Sequence, residues 1–157
     1  MPDSVELSYV AGFFDGEGCV HIARQRAHPG GVTYINYYLR VDIANTNKDI
    51  LIWISGLFGY GSVTKKGRKG NRKQGWSLVI VSRQAASFLT DISPYVKVKR
   101  GQVALGIEFQ KTKGKRKSEY QGGNTEDVLK QRLSISEQMS QLNRRGAIEP
   151  EVPAALN

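Results

Sequence analysis

The sequence that decides the fold is Val10-Ala11-Gly12-Phe13-Phe14-Asp15-Gly16-Glu17-Gly18. It closes a helix predicted over residues 3–15, which Ser4 is placed to cap and which Gly16 and Gly18 end. The carboxylates of Asp15 and Glu17 stand at the negative end of the helix macrodipole, at a cost of roughly 0.3 to 1 kcal/mol each. A bound cation would remove this conflict, and carboxylate oxygen is a natural ligand of a hard ion such as Mg²⁺. The segment is therefore a candidate metal site.

The same helix carries two glycines, Gly12 and Gly16, although glycine costs up to about 1 kcal/mol relative to alanine inside a helix. Small residues four apart let two helix backbones approach closely. Two copies can then meet across a two-fold axis, which would bring the two Glu17 side chains together. The predicted dimer interface comprises Val10, Ala11, Gly12, Phe13, Asp15 and Gly16.

Outward from this helix, the residue pattern predicts an alternation of strands and helices. Strands are predicted over residues 19–27, 33–45, 60–66 and 74–82, and helices from Asn47 to about Phe58 and over about 83–92, 99–110 and 125–143. Residues 111–124 are interpreted as a mobile loop, and residues 144–157 as a frayed tail. The order α-β-β-α-β-β-α-α-α predicts one α+β domain over residues 1–143, with a curved four-stranded antiparallel sheet covered by helices on one face.

The charge of the chain indicates a polyanionic partner. The formal net charge is +9, and between Tyr60 and Tyr120 there are fifteen Lys or Arg residues against three acids. Lysine and arginine gain affinity for phosphate by releasing condensed counterions. A lone cysteine, Cys19, excludes an internal disulfide framework and a cysteine-held zinc. With no apolar run of membrane-span length and no signal-peptide pattern, we expect a soluble intracellular protein with no membrane partner and no small-molecule substrate.

Residues 10–18 resemble the LAGLIDADG motif position by position, with Val, Phe and Phe in the variable apolar places and Glu for the final acid. The order of elements around the motif, in a basic chain of this length, is similar to single-motif members of that family over residues 7–143. The resemblance implies a homing endonuclease that makes a metal-dependent double-strand break in a long, near-palindromic DNA site. One motif implies a homodimer, and the gene would lie in an intron or intein of an organelle or a prokaryote.

The resemblance also implies roles for particular residues. The metal site falls on Glu17 and Gly16, with Mg²⁺, or Mn²⁺ or Ca²⁺, as the ion, while Asp15 is interpreted as structural. Asn45 holds the strand-end position that orients solvent near the metal, where the family more often has glutamine. Lys99 matches a basic residue after the fourth strand and its helix, with Lys97 as a rival.

The open face of the sheet is the predicted DNA-reading surface, against the alternative of a merely solvated face. Arg40 suits guanine, and Asn36 and Gln25 suit adenine. The predicted DNA contacts are Cys19, His21, Ala23, Gln25, Asn36, Tyr38, Arg40 and Asp42, extended by Ser62, Thr64, Lys66, Gln74 and Trp76, with Arg68, Lys69, Arg72, Lys73 and residues 111–117 on phosphate.

Two questions stay open at the level of sequence. Leu78 and Ile80 compete with Val79 and Val81 for the core, so Trp76 is as well suited to the interior as to DNA, whereas Tyr37 and Tyr60 are assigned to the core. The alternative function is an RNA maturase or another non-cleaving nucleic-acid binder on the same fold. A transcriptional regulator would need an added helix-turn-helix domain, for which the chain has no apparent room.

Overall fold

The computed structural model describes residues 1–31, 34–68, 70–113 and 126–144. Its elements are α1 (Ser4–Glu17), β1 (Gly18–Ala27), a 3₁₀ turn (Pro29–Gly31), β2 (Tyr34–Asn45), α2 (Lys48–Phe58), β3 (Ser62–Lys65), β4 (Trp76–Val81), α3 (Ser82–Ile92), α4 (Arg100–Lys111) and α5 (Glu126–Leu142). The strands form one antiparallel sheet in the order β1-β2-β4-β3. The predicted α+β fold with a four-stranded sheet is confirmed. Most of the predicted loop, from residue 114, and the tail from residue 145 lie outside the described residues.

The N-terminus of α1 is capped by Asp3 rather than by Ser4. The Asp3 carboxylate accepts hydrogen bonds from the backbone N–H groups of Val5 and Glu6, each at 2.9 Å. Glu6 returns the bond by accepting from the Asp3 N–H at 2.9 Å, which completes a capping box. The predicted cap was therefore wrong by one residue.

The C-terminus of α1 lies two residues later than predicted, at Glu17. Gly18 follows it, and its N–H donates to the carbonyl of Phe14. A Cβ at Gly18 would lie 2.2 Å from the Phe14 ring, so only glycine fits between the helix end and β1. This close contact places Glu17 at the junction of α1 with the sheet.

The hydrophobic core lies between the helices and one face of the sheet. Leu39, Val41 and Ile43 of β2 point into it, as the alternation predicts. Leu78 and Ile80 are buried while Val81 is 38% exposed, which settles the open question of β4. Phe88 packs against Phe14 and Phe58 at centroid distances of 5.9 and 4.9 Å, and Tyr37 and Tyr60 pack partly buried against the same core.

The last helix covers the outer edge of the sheet. Asn143, just after α5, donates from Nδ2 to the carbonyl of Val20 on β1 at 2.7 Å. Arg132 of α5 is buried and donates to the carbonyl of Thr112 at 2.7 Å, at the C-terminus of α4. An exposed strand edge is a template for unwanted pairing, so this contact protects β1.

Candidate active site and nucleic-acid interface

A pocket of about 320 Å³ opens where α1 meets the end of the sheet. Its lining comprises Glu17, Ala44, Asn45, Thr46, Lys66, Gly75 and Trp76. The structure thus brings the predicted metal ligand, Glu17, together with Asn45 from the end of β2. It also adds the Lys66 side chain, which the sequence assigned to the DNA-reading face and not to this pocket.

Asp15, the other acid of the motif, is bound within the chain. Its Oδ2 accepts from the backbone N–H groups of Lys97 at 2.7 Å and Val98 at 3.1 Å, and its Oδ1 accepts from that of Lys99 at 3.0 Å. These N–H groups stand at the N-terminus of α4, where a negative charge is favoured. The contacts agree with the structural interpretation of Asp15.

Lys99 binds the C-terminal end of α1. Its ammonium donates to the main-chain carbonyls of Phe14, at 3.3 Å, and of Asp15, both in the last turn of α1. A cation at a helix C-terminus interacts favourably with the macrodipole. The dipole conflict inferred from the sequence is therefore relieved by Lys99 as well, so that conflict alone does not require a metal.

Glu17 remains without an internal partner. Its side chain is exposed, and it forms no hydrogen bond or ion pair with any residue that the structure describes. Gly16 lies next to it in the exposed last turn of α1. In the described ranges no three His, Cys, Asp or Glu side chains cluster closely enough to hold a metal. One chain therefore offers a single carboxylate, with room around it for oxygen ligands from elsewhere.

Lys66 is held at its backbone and free at its tip. Its N–H donates to the carbonyl of Gly75 at 2.9 Å, and its own carbonyl accepts from Gln74 Nε2 at 2.7 Å. Gln74 Nε2 also donates to the carbonyl of Gly75 at 2.8 Å. The ammonium of Lys66 has no hydrogen-bond or ion-pair partner in the described part of the chain. Gln74 thus closes the hairpin from which Lys66 lines the pocket, and its amide nitrogen is not free to read a base as predicted.

Asn45 presents one half of its amide to the pocket. Its Oδ1 accepts from the backbone N–H of Asn47 at 2.8 Å, in the turn that precedes α2. Asn47 in turn caps α2 by accepting from Asp49 and Ile50. The donor group Nδ2 of Asn45 is therefore the part left to contact a phosphate or water oxygen.

The open face of the sheet carries the predicted set in direct cross-strand pairs. On β1 and β2 the pairs are Cys19 with Asp42, His21 with Arg40, Ala23 with Tyr38, and Gln25 with Asn36. On β3 and β4 they are Ser62 with Val79 and Thr64 with Ser77. Arg68 and Arg72 are exposed on the hairpin loop, beside Lys73; Lys69 lies outside the described residues. Ser77, Val79 and Val81 belong to this face but were not predicted.

Trp76 does not belong to the open face. Along β4 its side chain lies on the same side of the sheet as those of Leu78 and Ile80, and it packs partly buried against the core next to the pocket. The Lys48 ammonium lies 4.4 Å from its ring centroid. Its predicted place among the base-reading residues is therefore wrong. The period-two pattern of β4 could not show this, because apolar residues occupy both faces of that strand.

Asn36, at the outer end of β2, is also engaged. Its Oδ1 accepts from Lys113 Nζ at 3.0 Å. Burial, with the nearby charge of Arg132, lowers the pKa of Lys113 to about 8. Asn36 can contribute its amide oxygen to adenine recognition only if Lys113 moves away.

A charged cluster forms the inner part of the open face. Asp42 accepts two hydrogen bonds from Arg40, from Nε at 2.7 Å and from Nη2 at 2.8 Å, and one from Ser77 Oγ at 3.3 Å. His21 Nε2 lies 3.2 Å from Asp42 Oδ2, and the Cys19 thiol lies 3.7 Å from His21 Nδ1.

The pKa values of this cluster follow from burial and pairing. Burial lowers the pKa of His21 against the opposing charge of Asp42, which keeps the imidazole neutral at pH 7. Burial acts to raise the pKa of Asp42, but the hydrogen bonds and charge of Arg40, helped by His21 and Ser77, outweigh it and lower that pKa. Burial, with the charge of Asp42, raises the pKa of the Cys19 thiol. At neutral pH the cluster therefore holds one carboxylate, one guanidinium and two uncharged groups.

The outer side of α1 presents an exposed apolar face. Tyr9 is 54% exposed, stacks on Phe13 at 6.4 Å and meets Trp53 of α2 edge-on at 5.7 Å. Gly12 and Gly16 lie beside them with open space where a Cβ would stand. One helical face carries Val5, Tyr9, Gly12, Phe13 and Gly16, as their spacing shows. The spacing could therefore have added Val5 and Tyr9 to the predicted dimer interface. No such signal marks Trp53.

The predicted interface is corrected at two positions. Val10 and Ala11 have no exposed surface, because they pack in the chain's own core with Phe14. Neither can contact a second copy.

Among the helices that the structure describes, none is long and apolar enough to cross a membrane.

Comparison with known proteins gives one family and one fold. The sequence model of the LAGLIDADG endonuclease family matches residues 10–100. No curated protein has a significantly similar sequence. The homing endonuclease I-CvuI, solved in complex with its target in the presence of 2 mM Ca, is 20% identical with a TM-score of 0.69, over 92% of this chain and 86% of that chain. The archaeal intron-encoded homing endonuclease I-Vdi141I, complexed with DNA, is 16% identical with a TM-score of 0.72, over 96% and 91%. The LAGLIDADG meganuclease I-AabMI, bound to uncleaved DNA, is 14% identical with a TM-score of 0.61, over 88% of this chain and 47% of that chain.

Proposed function

Because this chain belongs to the LAGLIDADG endonuclease family, we propose that it is a site-specific homing endonuclease that cuts both strands of a long, nearly palindromic DNA site as a Mg²⁺-dependent homodimer. The observation that carries the proposal is the pocket that Glu17, Asn45 and Lys66 line together, with the Glu17 carboxylate and the Lys66 ammonium unpaired among the described residues. It opens at one end of a sheet face rich in hydrogen-bonding groups. A site for cutting thus adjoins a surface for recognition.

The residues of the pocket fit a divalent ion shared with DNA. Mg²⁺ accepts one or two carboxylates and completes its octahedron with water and phosphate oxygens. One exposed Glu17 per chain, with no competing cation bound to it, satisfies this requirement, and a second copy would supply a second Glu17. Bound there, the ion would polarise the scissile phosphate and favour a hydroxide nucleophile.

The remaining polar groups of the pocket act on the phosphate and its solvent. Asn45 donates from Nδ2 to a phosphate or water oxygen, because its Oδ1 is held by Asn47. Lys66 places a positive charge beside the phosphate, where negative charge develops during hydrolysis. Lys99 fixes the end of α1, and with it Glu17, through the carbonyls of Phe14 and Asp15. We therefore assign the assisting cation to Lys66 and a positioning role to Lys99.

The homodimer rests on the exposed face of α1. Val5 and Tyr9 are 75% and 54% exposed, and Trp53 on α2 is 40% exposed, an apolar surface that a second copy would bury. The open space at Gly12 and Gly16 admits a close helix approach. This chain matches only 47% of I-AabMI, so two copies correspond to the length of one such chain. A two-fold pair through α1 would set two pockets side by side, one for each DNA strand.

The proposal is tested with a plasmid library that carries randomised, two-fold-symmetric inserts. Plasmids cut in the presence of Mg²⁺ are captured at their new ends and sequenced, which yields the preferred site. On that site, we expect Glu17→Gln to reduce the cleavage rate by at least about a hundredfold while tight DNA binding persists. Glu108→Gln, which changes an exposed carboxyl on α4 outside the pocket, is the matched control.

Two outcomes would overturn the proposal. Cleavage by Glu17→Gln at the normal rate would remove Glu17 from the chemistry. No metal-dependent cutting of any insert, together with selective binding of structured RNA, would favour the maturase function instead.

A further inference from the structure

The charged cluster of the open face has a defined set of hydrogen-bond donors. An arginine has five N–H donors, and Asp42 accepts from Arg40 Nε and from one N–H of Nη2. Three N–H donors remain on Nη1 and Nη2, and the Tyr38 side chain on the same face accepts one of them, so two N–H donors at the outer edge of the guanidinium are left over. The Asp42 carboxylate holds Nε and Nη2, so the guanidinium cannot rotate and its remaining N–H groups point in a fixed direction. The side chain therefore loses little conformational entropy when it binds a ligand.

The neighbours of Asp42 take up its remaining acceptor capacity. Ser77 Oγ donates to Oδ1, and the neutral His21, with Nε2 at 3.2 Å, donates to Oδ2. That tautomer leaves His21 Nδ1 to accept from the Cys19 thiol. Asp42 is therefore occupied on every side that the sheet offers. What the Arg40–Asp42 pair offers to a ligand is therefore two N–H donors of Arg40 and no acceptor.

We propose that Arg40, held by Asp42, reads a guanine in the major groove of the DNA target. Guanine alone presents two adjacent acceptors there, O6 and N7, whereas adenine and cytosine each present an amino donor and thymine a single acceptor. A bidentate contact of this kind discriminates by about 5- to 150-fold against another base. The inference rests on the proposed function, because it takes the open face as the surface that meets DNA.

The register of the sheet places this guanine relative to the cut. Ile43 pairs with Gly18, the residue after Glu17, and Arg40 lies three residues farther out along β2. Three strand residues span about 10 Å, or about three base pairs of B-DNA. The guanine should therefore lie about three base pairs outside the cut phosphate, once in each half of a two-fold-symmetric site.

Asp42 acts through Arg40 and is a positioning residue. In Asp42→Asn the carboxylate that holds both Nε and Nη2 is lost, so the guanidinium can rotate and accept other bases. Preference for guanine should fall at this one position, while binding to unrelated DNA should hold or strengthen because a negative charge has been removed from the face. A merely structural role for Asp42 would instead reduce binding to all sequences alike.

The experiment is a binding selection that does not depend on cleavage. The full chain, with Ca²⁺ added, is equilibrated with duplex DNA randomised over about two helical turns, and the bound fraction is sequenced. We expect the wild-type selection to contain guanine in each half-site and Arg40→Ala to lose that base alone. Arg40→Lys keeps the charge beside Asp42 without the planar fork, so it should fold normally and also lose the guanine.

Gln25→Ala is the matched control on the same face. Gln25 pairs with Asn36 at the outer end of the strands, so its loss should leave the guanine in place and change bases farther out. A wild-type selection without this guanine, or one that Arg40→Lys and Arg40→Ala leave unchanged, would overturn the inference.

The selected DNA also separates this inference from the endonuclease function. If the site contains the Arg40-dependent guanine but is never cut with Mg²⁺, the inference holds and the endonuclease proposal fails. If the site is cut but lacks that guanine, the endonuclease proposal holds and the inference fails. If no DNA sequence is enriched, both are wrong.

Discussion

Two neighbouring regions of this molecule use the same kinds of charged side chain in opposite ways. In the pocket, Glu17 and Lys66 have no partner within the described residues. On the open face, Arg40 and Asp42 are joined by two short hydrogen bonds and supported by His21. Unpaired charges remain free to bind an ion or a phosphate, whereas paired charges hold one shape. The difference suggests chemistry at the first region and recognition at the second.

The contrast extends to the two acids of the motif, and here we expect the largest effect. Asp15→Ala removes the acceptor of three backbone N–H groups at the start of α4, so it should lower the free energy of unfolding by about 2 to 3 kcal/mol. Glu17→Ala, at an exposed site two residues away, should change it by less than about 0.5 kcal/mol. Urea denaturation of both variants measures the difference, and equal losses would show that the two acids are not divided in this way.

The two lysines provide the next test. Lys66→Met should reduce cleavage of the selected site by roughly tenfold or more without changing stability, because its ammonium has no hydrogen-bond or ion-pair partner in the described part of the chain. Lys99→Met should lower the free energy of unfolding by about 1 kcal/mol, because α1 loses the cation at its C-terminus. Cleavage rates and thermal melts on the same preparations decide the assignment. A loss of activity without a loss of stability in Lys99→Met would return the catalytic role to that residue.

The apolar face of α1 is tested by adding a side chain to it. In Gly12→Leu the new leucine fills the open space through which a second helix would approach, so the dimer should dissociate at least tenfold more readily. Ala104→Leu, which adds the same side chain at an exposed position of α4, is the control. Sedimentation over a range of concentrations gives the equilibrium. An intact dimer in Gly12→Leu would show that two copies do not meet at this face.

The smallest expected effect is a pH dependence of stability at the paired region. Because the pKa of Asp42 is lowered in the folded protein, its ion pair stabilises the fold fully above the ordinary aspartate pKa of about 3.9. That contribution is lost as the pH falls through the lowered pKa. The difference in unfolding free energy between the wild type and Asp42→Asn should therefore shrink as the pH falls below about 4. A difference that stays constant to pH 2 would contradict the pairing.

Local patterns in the sequence were sufficient for much of the fold. The helix predicted from Asn47 to about Phe58 is present as Lys48–Phe58 with Asn47 as its N-cap, because an N-cap, an apolar stripe and a terminal glycine all agree. The alternation of β2 likewise separated Leu39, Val41 and Ile43 from the open face. The place of Glu17 at the end of the motif helix needed only the motif itself.

The sequence could not predict what depends on distant contacts. Asp15 accepts hydrogen bonds from the backbone of Lys97, Val98 and Lys99, more than 80 residues away in the sequence. No local sequence pattern predicts that contact. The assignment of Lys66 to the pocket depends on how Gln74 closes the hairpin. The resemblance to the family pointed to Lys99, with Lys97 as a rival, but the Lys99 ammonium is bound to the carbonyls of Phe14 and Asp15 at the end of α1.

The chain has two tryptophans, and each lies at a different surface that a partner would cover: the apolar face of α1 and α2, and the pocket. Trp53 lies on the exposed face with Tyr9, and Trp76 lines the pocket under the Lys48 ammonium. Their fluorescence therefore provides two separate intrinsic signals without any added label. In Trp53→Phe the emission reports events at the pocket alone, and in Trp76→Phe it reports association of the copies. Assembly and DNA engagement can then be followed in time as distinct steps, each with its own variant.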